Sequence, residues 1–390
     1  MKSKMKSSAI QLTTLFMFIA TAISAQKKTE FFCKWKTAAE LPALHHLQKA
    51  PGVAGPITGV HQNKLIVAGG ANFPDSMPWQ GGKKKYYNVV YVYEKKGGKV
   101  VLLKQQFTLP FNIAYAASCS ATQGIVYAGG ENENGFSNKV FLLQWDKKKS
   151  AISAKQLPEL PFAITNAAAT VVDNIVYIAG GETADAASDQ LLALDLIDTE
   201  KGWNQLPRIP KALSHSVLAA LSDGNNTCIY LIGGRSKNIT GISDLYNSAF
   251  QFNIRENRWE EKKSLPYTLS AGTGIAVSSD GVLLFGGDKG TTFHKVEMLI
   301  AAINAEKDET IKKELIQKKN KLQTEHPGFS KEVLHYNTLT DSWKAIGNIP
   351  FDTPVTTTAV KWGNDIYIPS GEIRAGIRSP QILKVKILQK

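Results

Sequence analysis

Five times along this chain an apolar strand runs straight into a pair of glycines. The stretches are LIVAGGA at Gly69-Gly70, VYAGGE at Gly129-Gly130, VYIAGGE at Gly180-Gly181, IYLIGGR at Gly233-Gly234 and VLLFGGD at Gly286-Gly287. A sixth stretch, IYIPSGE, ends in Ser370-Gly371. The first five pairs follow one another at 60, 51, 53 and 53 residues. A fixed period near 50 residues with strand patterning means one supersecondary unit repeated around or along an axis. The glycines have a steric reason: they let the chain turn where neighbouring sheets crowd together and a Cβ would not fit.

Each unit has a second half that agrees. A Trp-bearing strand leads into Leu-Pro or Ile-Pro in WNQLPRIP from Trp203, WEEKKSLP from Trp259 and WKAIGNIP from Trp343, with shorter versions at Phe107 and Lys155. The bulky ring can pack between neighbouring units while the proline ends the outer strand. Six units of this kind specify an all-β fold, a six-bladed kelch-type β-propeller. The chain ends sharpen this reading. FCKWKTAAELP, around Trp35, is an outer half with no glycine pair before it, and the last unit stops after QILKVKIL. The N-terminal strand is therefore expected to complete the last blade, which removes exposed sheet edges. One spacing is long: Gly287 to Gly371 spans 84 residues. The excess, within residues 295–328, has helical spacing and a Lys/Glu pattern, and predicts a helix or helical hairpin inserted in the fifth blade. Its charged face reads either as solvated surface or as a cap over one mouth of the propeller, since insertions in repeat proteins decorate the binding face.

The 390 residues, 43% hydrophobic, are ample for a large core. Residues 1–25 read as a leader outside it: Lys2, Lys4 and Lys6 form a basic start, residues 10–23 an apolar stretch too short to span a bilayer, and Ser24-Ala25 a small-residue end. The propeller then occupies residues 26–390, and the expected location is periplasmic. No later window is long and apolar enough to cross a membrane. The formal charge is +13, but no basic stripe interleaved with aromatics occurs, which argues against nucleic acid and for a small anionic ligand. Cys33, Cys119 and Cys228 make no disulfide framework and no metal motif. His45, His46, His61, His215, His294, His326 and His335 show no paired metal spacing, and no phosphate loop is present.

The loop after each glycine pair approaches the axis, so its polar residues are the candidates for chemistry. They are Asn72, Glu131, Asn132, Glu182, Arg235, Asp288, Lys289, and then Glu372, Arg374 and Arg378. Polar loop residues are ordinary in propellers. The sixth loop differs because it gathers a carboxylate and two guanidiniums where the repeat rule is broken, and rule-breaking in a consistent pattern marks functional sites.

The leader, the six units, GGANFPDSMPWQGGKKKYYNVVYVY after the first strand, the long helical insertion after FGGD, and SGEIRAGIRS together resemble the N-acetylneuraminate epimerases, exported sialic acid mutarotases. The resemblance covers essentially the whole mature chain, with the blade order of the cyclically permuted group. It implies a catalytic Glu after a Ser/Asn-Gly pair and an Arg six residues later, here Glu372 and Arg378. It makes Arg374 the counterpart of a basic residue between them. Asn72 and Arg235 join Arg374 as candidate substrate contacts, and no cofactor or metal is implied. Opening a sialic acid ring needs a proton taken from the anomeric hydroxyl, which Glu372 can do as general base. It also needs a proton given to the ring oxygen, from water or the protonated Glu372. Arg378 suits a planar carboxylate. Two readings from other classes stand beside this one. A non-catalytic kelch module would bind glycan or protein without accelerating anomer exchange, and an oxidase-type kelch enzyme would need a copper site that no His/Tyr/Cys set here supplies.

Overall fold

A computed structural model describes residues 31–43 and 50–389; the leader expected over residues 1–25 lies outside them. Six antiparallel sheets form the blades of a propeller. Blade 1 runs from the axis outward as Ile57–His61, Lys64–Ala68, Val89–Lys96 and Lys99–Leu102, with Phe107–Thr108 also on the third strand. Blades 2 to 5 start on the axis with Ala117–Ala121, Ala168–Val172, Val217–Ser222 and Thr273–Ala276. Blade 6 is Val360–Trp362, Asp365–Pro369 and Gln381–Gln389, with the N-terminal strand Phe31–Glu40 as its outermost member. That strand is antiparallel to the C-terminal one from Phe31 opposite Gln389 to Glu40 opposite Gln381. The ring is closed by the two ends of the chain, as the unmatched half-units implied.

The second strand of each blade is apolar past its first residue because both its faces are covered; Gly124–Ala128 and Gly281–Phe285 are buried at every position. The resulting core is six clusters, one in each gap between blades. The gap between blades 6 and 1, for example, holds Val53, Leu65, Val67, Tyr93, Trp362, Tyr367 and Ile382. The outer-strand tryptophans stitch the same gaps: the indole N–H of Trp203 donates to the Pro158 carbonyl (2.9 Å), Trp259 to Pro207 (2.9 Å) and Trp343 to Lys263 (2.7 Å).

The glycine pairs do what their spacing demanded. A Cβ on Gly129, whose φ is 68°, would stand 2.3 Å from the Ile164 carbonyl of the next blade, which no side chain could relieve. Ser370 takes the corresponding place in blade 6 at φ 55° and is fully buried. In blade 2 the Ile164 N–H reaches the Ser137 carbonyl directly. In the gap between blades 6 and 1 the Ser370 hydroxyl stands between the equivalent groups, accepting from Val53 N–H (2.8 Å) and donating to the Ser379 carbonyl (2.7 Å). Ser370→Ala keeps the Cβ and the backbone but leaves the Val53 N–H buried and unpaired, which costs about 1–3 kcal/mol. Urea unfolding should show that loss, and an unchanged midpoint would refute the role given to the hydroxyl.

Just before each axial strand one residue adopts the left-handed conformation: Gly55, Tyr115, Asn166, His215, Ala271 and Thr356, with φ between 51° and 62°. Their peptides form a closed circle. Tyr115 N–H donates to Gly55 O, Asn166 to Tyr115, His215 to Asn166, Ala271 to His215, Thr356 to Ala271 and Gly55 to Thr356, all at 2.7–3.0 Å. Below this circle runs an axial cavity of about 470 Å³ lined by the first strands.

Between the second and third strands of blade 5 stand two helices, α1 (Thr291–Ala305) and α2 (Glu309–Thr324). The Asp308 carboxylate caps α2, accepting from Thr310 and Ile311 N–H. Neither helix has a fully buried residue. The first turns of α1 are clamped to blade 4: His294 Nε2 donates to the Ser243 carbonyl (2.8 Å) and Glu297 accepts from Ser243 N–H and Oγ (2.9 and 2.7 Å). Among the described residues no helix is long and apolar enough to cross a membrane.

Candidate active site

The residue after each glycine pair bridges to the segment leading into the axial strand of its own blade: Ala71 with Ala54, Glu131 with Ala114, Glu182 with Thr165, Arg235 with Ser214, Asp288 with Ser270 and Glu372 with Val355. This register sets four carboxylates and one guanidinium around one mouth of the propeller, directly above the peptide circle. The strand pairing is then continued by short hairpins, such as Glu372–Arg374 with Ile377–Arg378.

Within the blade 6 hairpin, Glu372 and Arg378 face one another in register. Glu372 Oε1 accepts from Gly376 N–H across the turn (2.8 Å), and Oε2 lies 3.3 Å from Arg378 Nη2. The Arg378 side chain is only 4% exposed. Its plane lies against the Phe73 ring of blade 1, 4.7 Å from the centroid, while Nε and Nη1 have no hydrogen-bond partner. A buried guanidinium with two idle nitrogens is an unsettled charge, and native structures keep few such groups without a reason. The cover is supplied by the blade 1 loop, whose Met77, Pro78 and Trp79 close on Gly376 so tightly that a Cβ there would meet them at 3.1–3.3 Å.

Arg374 turns outward. It is half-exposed and pairs with Asp352 at 3.6 Å. Asn72 is buried at 1%, with its Nδ2 donating to the Gly52 carbonyl (2.9 Å) and its Oδ1 accepting from the Tyr87 hydroxyl (2.8 Å). Both ends of its carboxamide are engaged by the fold, and its burial keeps it back from the mouth. Asn132 makes the same bond to Asn112 O in blade 2 (3.0 Å).

Arg235 is in the mouth, two blades from Glu372. Its guanidinium lies on the Phe293 ring of α1 at 4.7 Å, 3.7 Å from Glu182 Oε1 and 3.4 Å from His215 Nε2. Burial, with Arg235 beside it, holds His215 well below the usual imidazole range, so the ring is neutral at neutral pH. With Nε2 accepting from Arg235, the proton sits on Nδ1 and is given to Ser214 Oγ (2.9 Å), which donates in turn to Glu182 Oε1 (2.9 Å).

A second group was not legible as a set. Lys84 Nζ and the Tyr86 hydroxyl both donate to Glu131 Oε1, each at 2.8 Å. Lys84 also stands 5.0 Å from the centre of the Tyr115 ring. Burial works to lower the Lys84 pKa, but Tyr115 and Glu131 outweigh it and hold the ammonium above its ordinary value. Tyr86 is pushed up to about 12, by burial first and then by its bond to Glu131. His326, on the return from α2, is buried, and the charges of Asp288, Glu372 and Arg374 reach it.

A family model described as N-acetylneuraminate epimerase matches residues 19–152 and 157–390. The N-acetylneuraminate epimerase of Haemophilus influenzae (strain 86-028NP) is 26% identical over 238 residues, 61% of each chain. That of Brucella melitensis is 24% identical over 242 residues, again 61% of each, and that of Salmonella typhimurium 26% over 235 residues, 59% of this chain and 58% of its own. The match thus spans about three fifths of the length of these relatives.

Proposed function

The chain belongs to the N-acetylneuraminate epimerase family, and on that premise we propose that it is an exported isomerase that interconverts the α and β anomers of a sialic acid. The observation that carries this reading is the Arg378–Glu372 pair. It offers a buried cation with open donors beside a carboxylate that is about one fifth exposed.

In this reading the sugar carboxylate binds Arg378, whose planar donor set matches two oxygens at once. The Phe73 loop shifts to admit it, because in the closed arrangement the guanidinium is covered. The anomeric hydroxyl is then set against Glu372, which removes its proton as the ring bond breaks and a ketone forms. Rotation about the bond to the former anomeric carbon, followed by reclosure, gives the other anomer. The Gly376 N–H keeps Glu372 pointed at the mouth throughout.

The direct test follows freshly dissolved or enzymatically released α-N-acetylneuraminate by NMR at pH 7, with and without protein. Decay of the α signal several-fold faster than the spontaneous rate is the expected result. Binding without acceleration would overturn the assignment in favour of a non-catalytic module.

A further inference from the structure

We propose that Tyr115 is a second catalytic residue of this site, the acid that protonates the ring oxygen while Glu372 takes the anomeric proton. The inference rests on the mutarotase reading above.

Position is the first argument. Tyr115 sits in the peptide circle at φ 57°, where a bulky residue costs about 1–2 kcal/mol that glycine would avoid. Gly55 shows that the circle accepts glycine. The strained backbone sets the Tyr115 side chain on the floor of the mouth, where Lys84 of the blade 1 loop stands 5.0 Å from the centre of its ring. Its phenol has no hydrogen-bond partner among the described residues, unlike Tyr86 and Tyr87, whose hydroxyls bond Glu131 and Asn72.

Charge is the second argument. Burial raises the Tyr115 pKa, Lys84 and Arg378 lower it, and Glu372 and Glu131 raise it. The phenol is therefore a proton donor in the resting site, and both members of the Glu372–Arg378 pair are close enough to act on it. The effect of Glu372 disappears once Glu372 has accepted the anomeric proton, because its carboxyl is then neutral. Burial and Glu131 still hold the proton, but Lys84 and Arg378 then favour its release with one opposing charge fewer, so the phenol is a stronger acid at that moment than in the resting site.

The step balances. The anomeric O–H bond breaks and its proton goes to Glu372. The electron pair left behind forms the ketone, and the pair of the ring C–O bond leaves with the ring oxygen. That oxygen takes the Tyr115 proton, leaving a phenolate faced by Lys84. Reclosure on the other face of the ketone returns both protons to their sources, so no co-reactant is consumed.

The experiment is NMR exchange kinetics on the full mature protein carrying Tyr115→Phe, with wild type and a thermal melt alongside. The substitution keeps the aromatic ring under Lys84 and removes only the hydroxyl. We expect kcat to fall about 10²–10⁴-fold, with KM changed by less than threefold and the melting temperature held. A ring-fluorinated tyrosine placed at position 115 should shift kcat with the strength of the acid, a response that a packing role would not give. Wild-type kcat in Tyr115→Phe, or no response to fluorination if the Phe variant does not fold, overturns the assignment of Tyr115 alone. A wild-type protein that fails to accelerate exchange overturns the mutarotase reading as well, so the two failures are distinguishable.

Discussion

Glu372→Gln should lower catalysed anomer exchange by about 10²–10⁴-fold, the range ordinarily supplied by a positioned general base, while the protein melts near the wild-type temperature. The reason for both halves is in the hairpin. A glutamine oxygen can still accept from Gly376 N–H, so the turn survives. The other end becomes an amide donor facing Arg378 Nη2, where the carboxylate oxygen now accepts at 3.3 Å, and it has no basic lone pair for the anomeric proton. NMR rates measured at saturating sugar read the loss directly. A variant that exchanges anomers at the wild-type rate would remove Glu372 from the chemistry.

Arg378→Met is the second large effect, and it should fall on binding. Loss of a charge-assisted hydrogen bond to the sugar carboxylate is worth about 1.5–3 kcal/mol, which corresponds to a rise in KM of roughly 10- to 150-fold. Arg378→Lys should recover only part of that, because an ammonium keeps the charge but not the planar fork. Some loss of stability will accompany either change, since the guanidinium packs on Phe73 at 4.7 Å and such contacts are worth about 0.5–1 kcal/mol. Equal KM for wild type and Arg378→Met would place the carboxylate elsewhere.

The fold was legible because steric rules force its signature. The first glycine of each pair sits where a Cβ would strike the next blade, so glycine must recur there, and the spacing exposes the blade count. The Glu372–Arg378 pair was legible through the broken repeat and the family resemblance; its register, a two-residue turn plus a one-residue bulge between Glu372 and Arg374, was not. Asn72 lies back from the mouth for a reason of phase. In the other five blades the side chain next to the second glycine faces the mouth; in blade 1 that place belongs to Ala71, and Asn72, one residue on, turns to the opposite face of the strand. Tyr115 and His215 gave no signal of their own, because the circle requires only a backbone conformation and accepts Gly, Tyr, Asn, His, Ala and Thr alike. A count would have found most of them. In blades 1, 2, 3 and 6 the circle residue stands fifteen positions before the second glycine. Lys84 was visible only as part of a lysine run, since its partner Glu131 comes from the next blade.

The sharing of blade 6 between the two chain ends has a bearing on synthesis. Strand Phe31–Glu40 is among the first described residues to leave the ribosome, yet its sheet neighbour, Gln381–Gln389, is among the last. Until then the strand has no ladder, the blade 6–blade 1 gap has no wall, and the peptide circle lacks its Thr356 link. Glu372 and Arg378 lie in that same final stretch. A chain stopped short would lack most of the final blade with Glu372 and Arg378, and one clipped at its start would lack that blade's outer strand.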